Sequence, residues 1–481
     1  MKRKISSKIL ALLLSVAISL PAAGAVTLMA SAAENAEPSG QTRVVGGDFA
    51  NVVVFARFQD DHISENYLNE DSDKTTGDNT VMEEIMHFYD GDYGRSFTNY
   101  METVSNGQLH VKNEITGQTS VITLPYNYDD VRAKDIDYQV IGQIIEEMPE
   151  LKGLTVDYDG DGYIDNFTVI LFGGVDTIYS HVPTLYPHCD NYLGTENVPG
   201  TDKKVSYYNI LTTNTLLDGS LLGANRHGLI IHEFLHTLGY PDLYTRDGRS
   251  YPVYSWDIMA ERSIYPAYPL AVLRETTGWA ELPVIEEDTT LTLESPQTAV
   301  EGKPYAYAIK SPLNPYELFV VERREQGDAI DPDSLDAKIG GSGVIVYRVN
   351  TTVKDLSNFG SKLGIYVFRP NAEDTREAAL QAAFPRSDGS NYIGNESIEA
   401  GISEGALTFS DGSNSGIVIS DIRKNTDGTM SLEVKLPDAD AYDMWEDTRL
   451  VNSVPGQSAT HAAVGTIDGK QYAAAVQQTG T

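Results

Sequence analysis

His232 and His236 stand four residues apart with Glu233 beside the first. Four residues turn an α-helix by about 400°, so the two imidazoles leave one face one turn apart and can share a cation. Glu233 can reach a water polarised by that cation without ligating it, the position of a general base. Gly239 and Pro241 are residue types that stop a helix and reverse the chain, and they bring Asp242 back towards the pair. Two imidazoles, a carboxylate and an open fourth position are what hydrolysis by zinc-activated water needs. A fortuitous His-Glu-x-x-His is expected only about 0.01 times in such a chain. As mere core residues among Leu229, Ile230, Ile231, Phe234, Leu235 and Leu238, these polar groups would be costly to bury. The sequence also offers Glu275, on a helix expected over 267–277, as a rival third ligand. Asp242 is preferred because Gly239 and Pro241 would otherwise have no reason to flank it.

A second constellation runs from Asp157 to Asp165. Asp157, Asp159, Asp161 and Asp165 occupy positions 1, 3, 5 and 9 of an EF-hand loop, with Gly162 at 6 and Ile164 at 8. Tyr163 would contribute its backbone carbonyl. Position 12 is Thr168 rather than the bidentate glutamate. Ca²⁺ is the expected occupant, because four acids in nine residues repel one another without a cation; the alternative is an acidic turn before a strand. Other candidates are blander. His181 and His188 read as loop histidines, His227 as a helix-start residue turned away from the metal face, and Cys189 as a small buried residue.

Around these sites the expected elements are a buried strand over 51–58, helices over 81–89, 97–104 and 133–148, and strands over 167–172 and 205–211. The metal-site helix should begin near Ala224. Residues 1–32 combine Lys2, Arg3, Lys4 and Lys8 with an apolar run and Ala30-Ser31-Ala32, which reads as a secretory signal peptide. Residues 33–43 read as a flexible leader, 44–285 as the catalytic domain, and 286–437, with its many short strands and turn signals, as a β-sandwich-like domain. Residues 438–481 are an acidic, then polar, tail or the start of a further region. The formal net charge of −34 argues against nucleic acid and anionic membranes as partners and favours divalent cations. No stretch after the signal segment is long enough to span a bilayer. With one cysteine, no disulfide can form within the chain.

The frame His-Glu-x-x-His-x-x-Gly-x-x-Asp, followed by Met259 in Trp256-Asp257-Ile258-Met259-Ala260, is the metzincin pattern. More narrowly, the chain resembles the immune inhibitor A family of secreted bacterial metallopeptidases. The resemblance rests on residues 232–244, on Asp159–Asp165 leading into a strand, on Ser105-Asn106-Gly107-Gln108-Leu109 and on Gly278-Trp279. It extends to Glu317–Arg324 and Gly341–Tyr347, so it covers about residues 50–350. Thr245-Arg246 departs from the family, which usually places another aspartate after the tyrosine. The resemblance implies an α+β zincin catalytic domain with Met259 as a hydrophobic floor beneath the metal. The activity it implies is that of a secreted zinc endopeptidase acting on extracellular proteins or peptides. Two other readings stay open: a non-catalytic, calcium-dependent surface-binding protein, and a zinc hydrolase of another exported polymer. The intact Glu233 and three-ligand site weigh against the first.

Overall fold

The computed structural model describes residues 46–59, 78–115, 121–127, 136–172, 187–217, 226–297, 302–397, 399–438, 461–467 and 470–476. The signal segment, the leader and His181 lie outside them. Strand β1 (Gly47–Arg57) is central to a six-stranded sheet. Its alternation sets the layers: Phe49, Val53 and Phe55 enter one core, while Ala50, Val52 and Val54 enter another. Helices α1 (Asp78–Asp90) and α2 (Phe97–Val104) lead to β2 (Leu109–Ile115) and the short β3 (Ile122–Thr123). Helix α3 (Ile136–Glu147) then leads to β4 (Asn166–Leu171). The first core is covered by α1 and α2, and the second by the Val140, Ile141, Ile144 stripe of α3. After β5 (His188–Asn191) and β6 (Tyr207–Thr212) come α4 (Thr213–Leu217) and α5 (Arg226–Thr237), which carries the histidine pair.

The sheet order is β2-β1-β4-β6-β5, with β3 also on β1. Every pairing is parallel except that of β5 with β6. The sequence reading leaves 188–191 as loop, since His-Cys-Asp-Asn has no strand pattern. Pairing of this edge with Tyr207–Ile210 makes it a strand.

Beyond α6 (Ala271–Thr276) come β7 (Val284–Ile285), β8 (Thr289–Leu293), β9 (Ala306–Lys310), β10 (Glu317–Arg324), β11 (Gly343–Asn350) and β12 (Ile365–Val367). They are followed by β13 (Ile393–Gly394), β14 (Val418–Lys424) and β15 (Met430–Lys435). A five-stranded sheet, β12-β11-β10-β9-β7, and a four-stranded sheet, β13-β14-β15-β8, enclose a third core that includes Phe319, Val321, Val346, Ile419 and Leu432.

No compact unit ends at the expected boundary of 285 to 286: the described residues through Pro437 cluster together. The reason is legible in β10 and β11, buried at every position. Phe319 and Val321 face the third core, while Leu318 and Val320 share the first core with α5. A sheet covered on both sides cannot be detached from its neighbour without exposing one face. In the second unit, β16 (His461–Ile467) and β17 (Lys470–Val476) form an antiparallel hairpin, within the segment expected to be a tail or the start of a further region. Among the described residues no helix is long and apolar enough to cross a membrane.

Candidate metal centre

Helix α5 ends in a paired-bond turn. The amide of Gly239, at φ 85°, donates to the His236 carbonyl at 2.8 Å, and that of Tyr240 donates to Leu235 at 3.1 Å. The same turn orients a ligand, because the Tyr240 carbonyl accepts from His236 Nδ1 at 2.7 Å. His232 Nδ1 donates to the Ile258 carbonyl at 3.2 Å. A carbonyl can only accept, so both imidazoles carry their proton on Nδ1 and present Nε2 lone pairs.

Those lone pairs converge with a carboxylate. Asp242 Oδ1 lies 3.3 Å from Nε2 of each histidine, and the two rings, nearly perpendicular at 82°, have centroids 4.8 Å apart. Tetrahedral zinc with ligands at about 2.0–2.1 Å requires ligand-to-ligand edges of about 3.3–3.4 Å, which the two Asp242 edges match. Asp242 Oδ1 is also buried without a hydrogen bond of acceptable geometry. A buried carboxylate oxygen between two imidazole nitrogens fits a cation ligand better than a core group. Burial alone would raise the Asp242 pKa, but the two imidazoles outweigh it and hold the carboxyl well below the usual range. Glu275, the rival ligand, does not join this cluster.

Residues 257–260 support the centre from one side. Buried Asp257 accepts from the amides of Met259 at 2.7 Å and Leu270 at 2.6 Å, and burial pushes its carboxyl up to about 7. The Met259 carbonyl accepts from the amide of Leu243, next to Asp242, at 3.0 Å. Met259 itself is fully buried in the first core. The turn is braced by β10: Arg324 donates to the Trp256 carbonyl at 2.7 Å and to Asp336 at 2.6 and 3.0 Å, with Glu322 at 3.4 Å.

From the other side, a row of amides crosses the sheet beneath α5. Asn51 donates to Asn113 at 2.8 Å, and Asn166 donates to Asn51 at 2.9 Å and to Asn209 at 2.7 Å. The row ends on the helix: Asn209 donates to the Glu233 carbonyl at 3.0 Å, and the Thr237 hydroxyl to Asn166 at 2.9 Å. Satisfied on nearly every bond, this buried network fixes the register of helix on sheet.

Glu233 is almost fully buried, yet it lines a cleft of about 290 Å³ together with His232, His236 and Asp242. The edge strand β5 contributes His188 and Cys189 to the same cleft. His188 therefore borders the centre. Cys189 contacts the Thr237 hydroxyl at 3.7 Å, and burial pushes its thiol up to about 12. His227 points elsewhere, bonding the Ile264 carbonyl at 2.7 Å.

In the acidic loop, Asp157, Asp159 and Asp165 bring one oxygen each within 4.8 Å of one another. The Asp161 carboxylate falls outside that group. The oxygens are already engaged. Asp157 accepts from Gly160 at 2.7 Å and Gly162 at 3.1 Å and pairs with Lys203 at 3.0 Å. Asp165 accepts from Ala50 at 2.7 Å and Tyr158 at 3.1 Å, and burial raises its carboxyl to about 7. The Ile164 amide donates to Lys204 at 2.8 Å, which ties the loop to the segment before β6.

Sequence reasoning missed Tyr244, whose ring lies near-parallel to that of His232 with centroids 6.3 Å apart, and Arg262, which lines the cleft. Their positions two residues after Asp242 and three after Met259 were the available signal. It also missed the asparagine row, whose members are far apart in sequence. No family model matches the chain, and no curated protein shows significant similarity to it.

Proposed function

We propose that this chain is a secreted zinc-dependent endopeptidase acting on extracellular proteins. The observation that carries the reading is the triangle of His232 Nε2, His236 Nε2 and Asp242 Oδ1, set in a cleft that Glu233 also lines. Zinc held there would polarise a scissile carbonyl and bring the pKa of a bound water from 15.7 to about 7. Glu233 accepts the proton of the attacking water and delivers it to the departing amine. His232 and His236 would hold such an ion through Nε2, because the Ile258 and Tyr240 carbonyls keep the proton on Nδ1. The motif likeness to the immune inhibitor A family points to peptides rather than another polymer. The sequence features of residues 1–32 support export.

The acidic loop supports a subsidiary Ca²⁺ site of Asp157, Asp159 and Asp165, to which the Tyr163 carbonyl would add an oxygen; Asp161 would have to turn inward to join it. Asp157 wraps the amides of Gly160 and Gly162 as a cation loop does, although Lys203 competes for the same carboxylate.

The deciding experiment is casein digestion by the mature protein and by Glu233→Gln. The variant should keep stoichiometric zinc, measured by elemental analysis, and lose nearly all turnover, since an amide cannot take the water's proton. Near wild-type digestion by a zinc-replete Glu233→Gln protein would refute the general-base role.

A further inference from the structure

We propose that Arg262 is a carboxylate-recognising subsite, so that the enzyme prefers peptides carrying a carboxylate close to the bond it cuts. The proposal rests on the peptidase reading above and adds a substrate class to it. Among the described residues Arg262 is the only lysine or arginine lining the cleft, whose other charged lining groups include Asp190, Glu233 and Asp242. Among the described residues no carboxylate lies within ion-pairing distance of its guanidinium, in a chain whose formal charge is −34. Its documented neighbour is a ring: the guanidinium carbon sits 5.7 Å over the centroid of Tyr244. Tyr244 in turn lies near-parallel to His232. Arg262 and Tyr244 line the same cleft as His232, His236 and Asp242, so a side chain or chain end of a bound peptide can reach the cation there.

The backbone that presents Arg262 is fixed to the helix that presents the histidines. His227 Nε2 donates to the Ile264 carbonyl at 2.7 Å. Gly228 lets the next segment approach so closely that a β-carbon there would stand 1.9 Å from the Ser263 carbonyl oxygen. Arg262 and the metal ligands therefore share one rigid frame. A planar fork of donors over an aromatic face offers a carboxylate two parallel hydrogen bonds between opposite charges, whereas an amide has one acceptor oxygen and no charge to meet it.

Two sources of the carboxylate fit, an Asp or Glu side chain or the C-terminus of a short peptide, and the test separates them. Internally quenched peptides would be compared with Glu or Gln at each position flanking the cut, and with a free or amidated C-terminus. A preference of about tenfold in kcat/KM is expected for the carboxylate member of one pair. Arg262→Glu should reverse it in favour of a Lys peptide, whereas Arg262→Lys should keep its sign with a smaller ratio. Titration of the same peptides into Glu233→Gln protein, which binds without cutting, should reproduce the order in Kd. Equal cleavage and equal binding of all pairs, or an Arg262→Glu loss that falls alike on every peptide, would overturn the subsite and leave the peptidase standing. Failure of the wild type to cut any peptide or casein would overturn the peptidase reading and the subsite with it.

Discussion

The two acid-bearing constellations differ in what their carboxylates already touch. At the histidine pair, Asp242 Oδ1 is buried and faces only the two imidazole nitrogens, while the bonds that orient the rings run to backbone carbonyls behind them. In the acidic loop, Asp157 and Asp165 are occupied by amides, and a lysine ammonium already sits on Asp157. The first arrangement aims lone pairs at a point; the second folds back on itself and needs a cation less. Preorganisation is therefore visible as hydrogen bonds spent on the far side of a ligand, not as a count of acids.

The largest effect should come from removing the Asp242 oxygen. Asp242→Ala should lose zinc on dialysis and lower casein turnover by several kcal/mol of barrier, about a thousandfold. Glu275→Ala should retain both. Zinc retained by the first variant and lost by the second would break the contrast at its stronger end. Next is the strut from β10. Arg324→Met leaves Glu322 and Asp336 buried without their partner, which should cost about 3–5 kcal/mol in a denaturant titration. Any calcium response of the loop should survive in that variant, because the loop is not braced by β10.

Calcium itself should raise the Tm through the acidic loop, by an amount set by about 2.7 kcal/mol at a hundredfold excess over Kd. Indifference of both wild type and Asp161→Ala to calcium would reduce the loop to a self-satisfied turn. The smallest effect sharpens that point. Lys203→Met should change stability little without calcium and should tighten calcium binding in a calorimetric titration, because it frees the Asp157 carboxylate. Unchanged affinity would mean that the ammonium and the cation do not compete.

What could be read from the sequence was whatever a few neighbouring residues decide. The periodicity over Phe97–Val104 and the stop at Gly239 are local, and the helix ends match them. The apolar runs in β10 and β11 marked strands, but not that both their faces are covered, since a run of buried residues does not say what buries it. Asn51, Asn113, Asn166 and Asn209 gave no signal, because each is an ordinary polar residue until the sheet register sets it beside the next. Strand β5 was hidden for the same reason: its partner, not its composition, makes it a strand. Arg262 and Tyr244 lay in plain view close to the motif, and only the folded cleft shows that they share a wall.

The double covering of β10 and β11 also bears on how the molecule comes apart. With no solvent-facing side on that sheet, the residues through Pro437 have one cooperative unit of stability to lose, and heat should melt them in a single transition. A proteolytic nick in the connection between α6 and β9 would leave the two pieces clamped by shared apolar surface. The metal-centre geometry would then survive a cut in that connection.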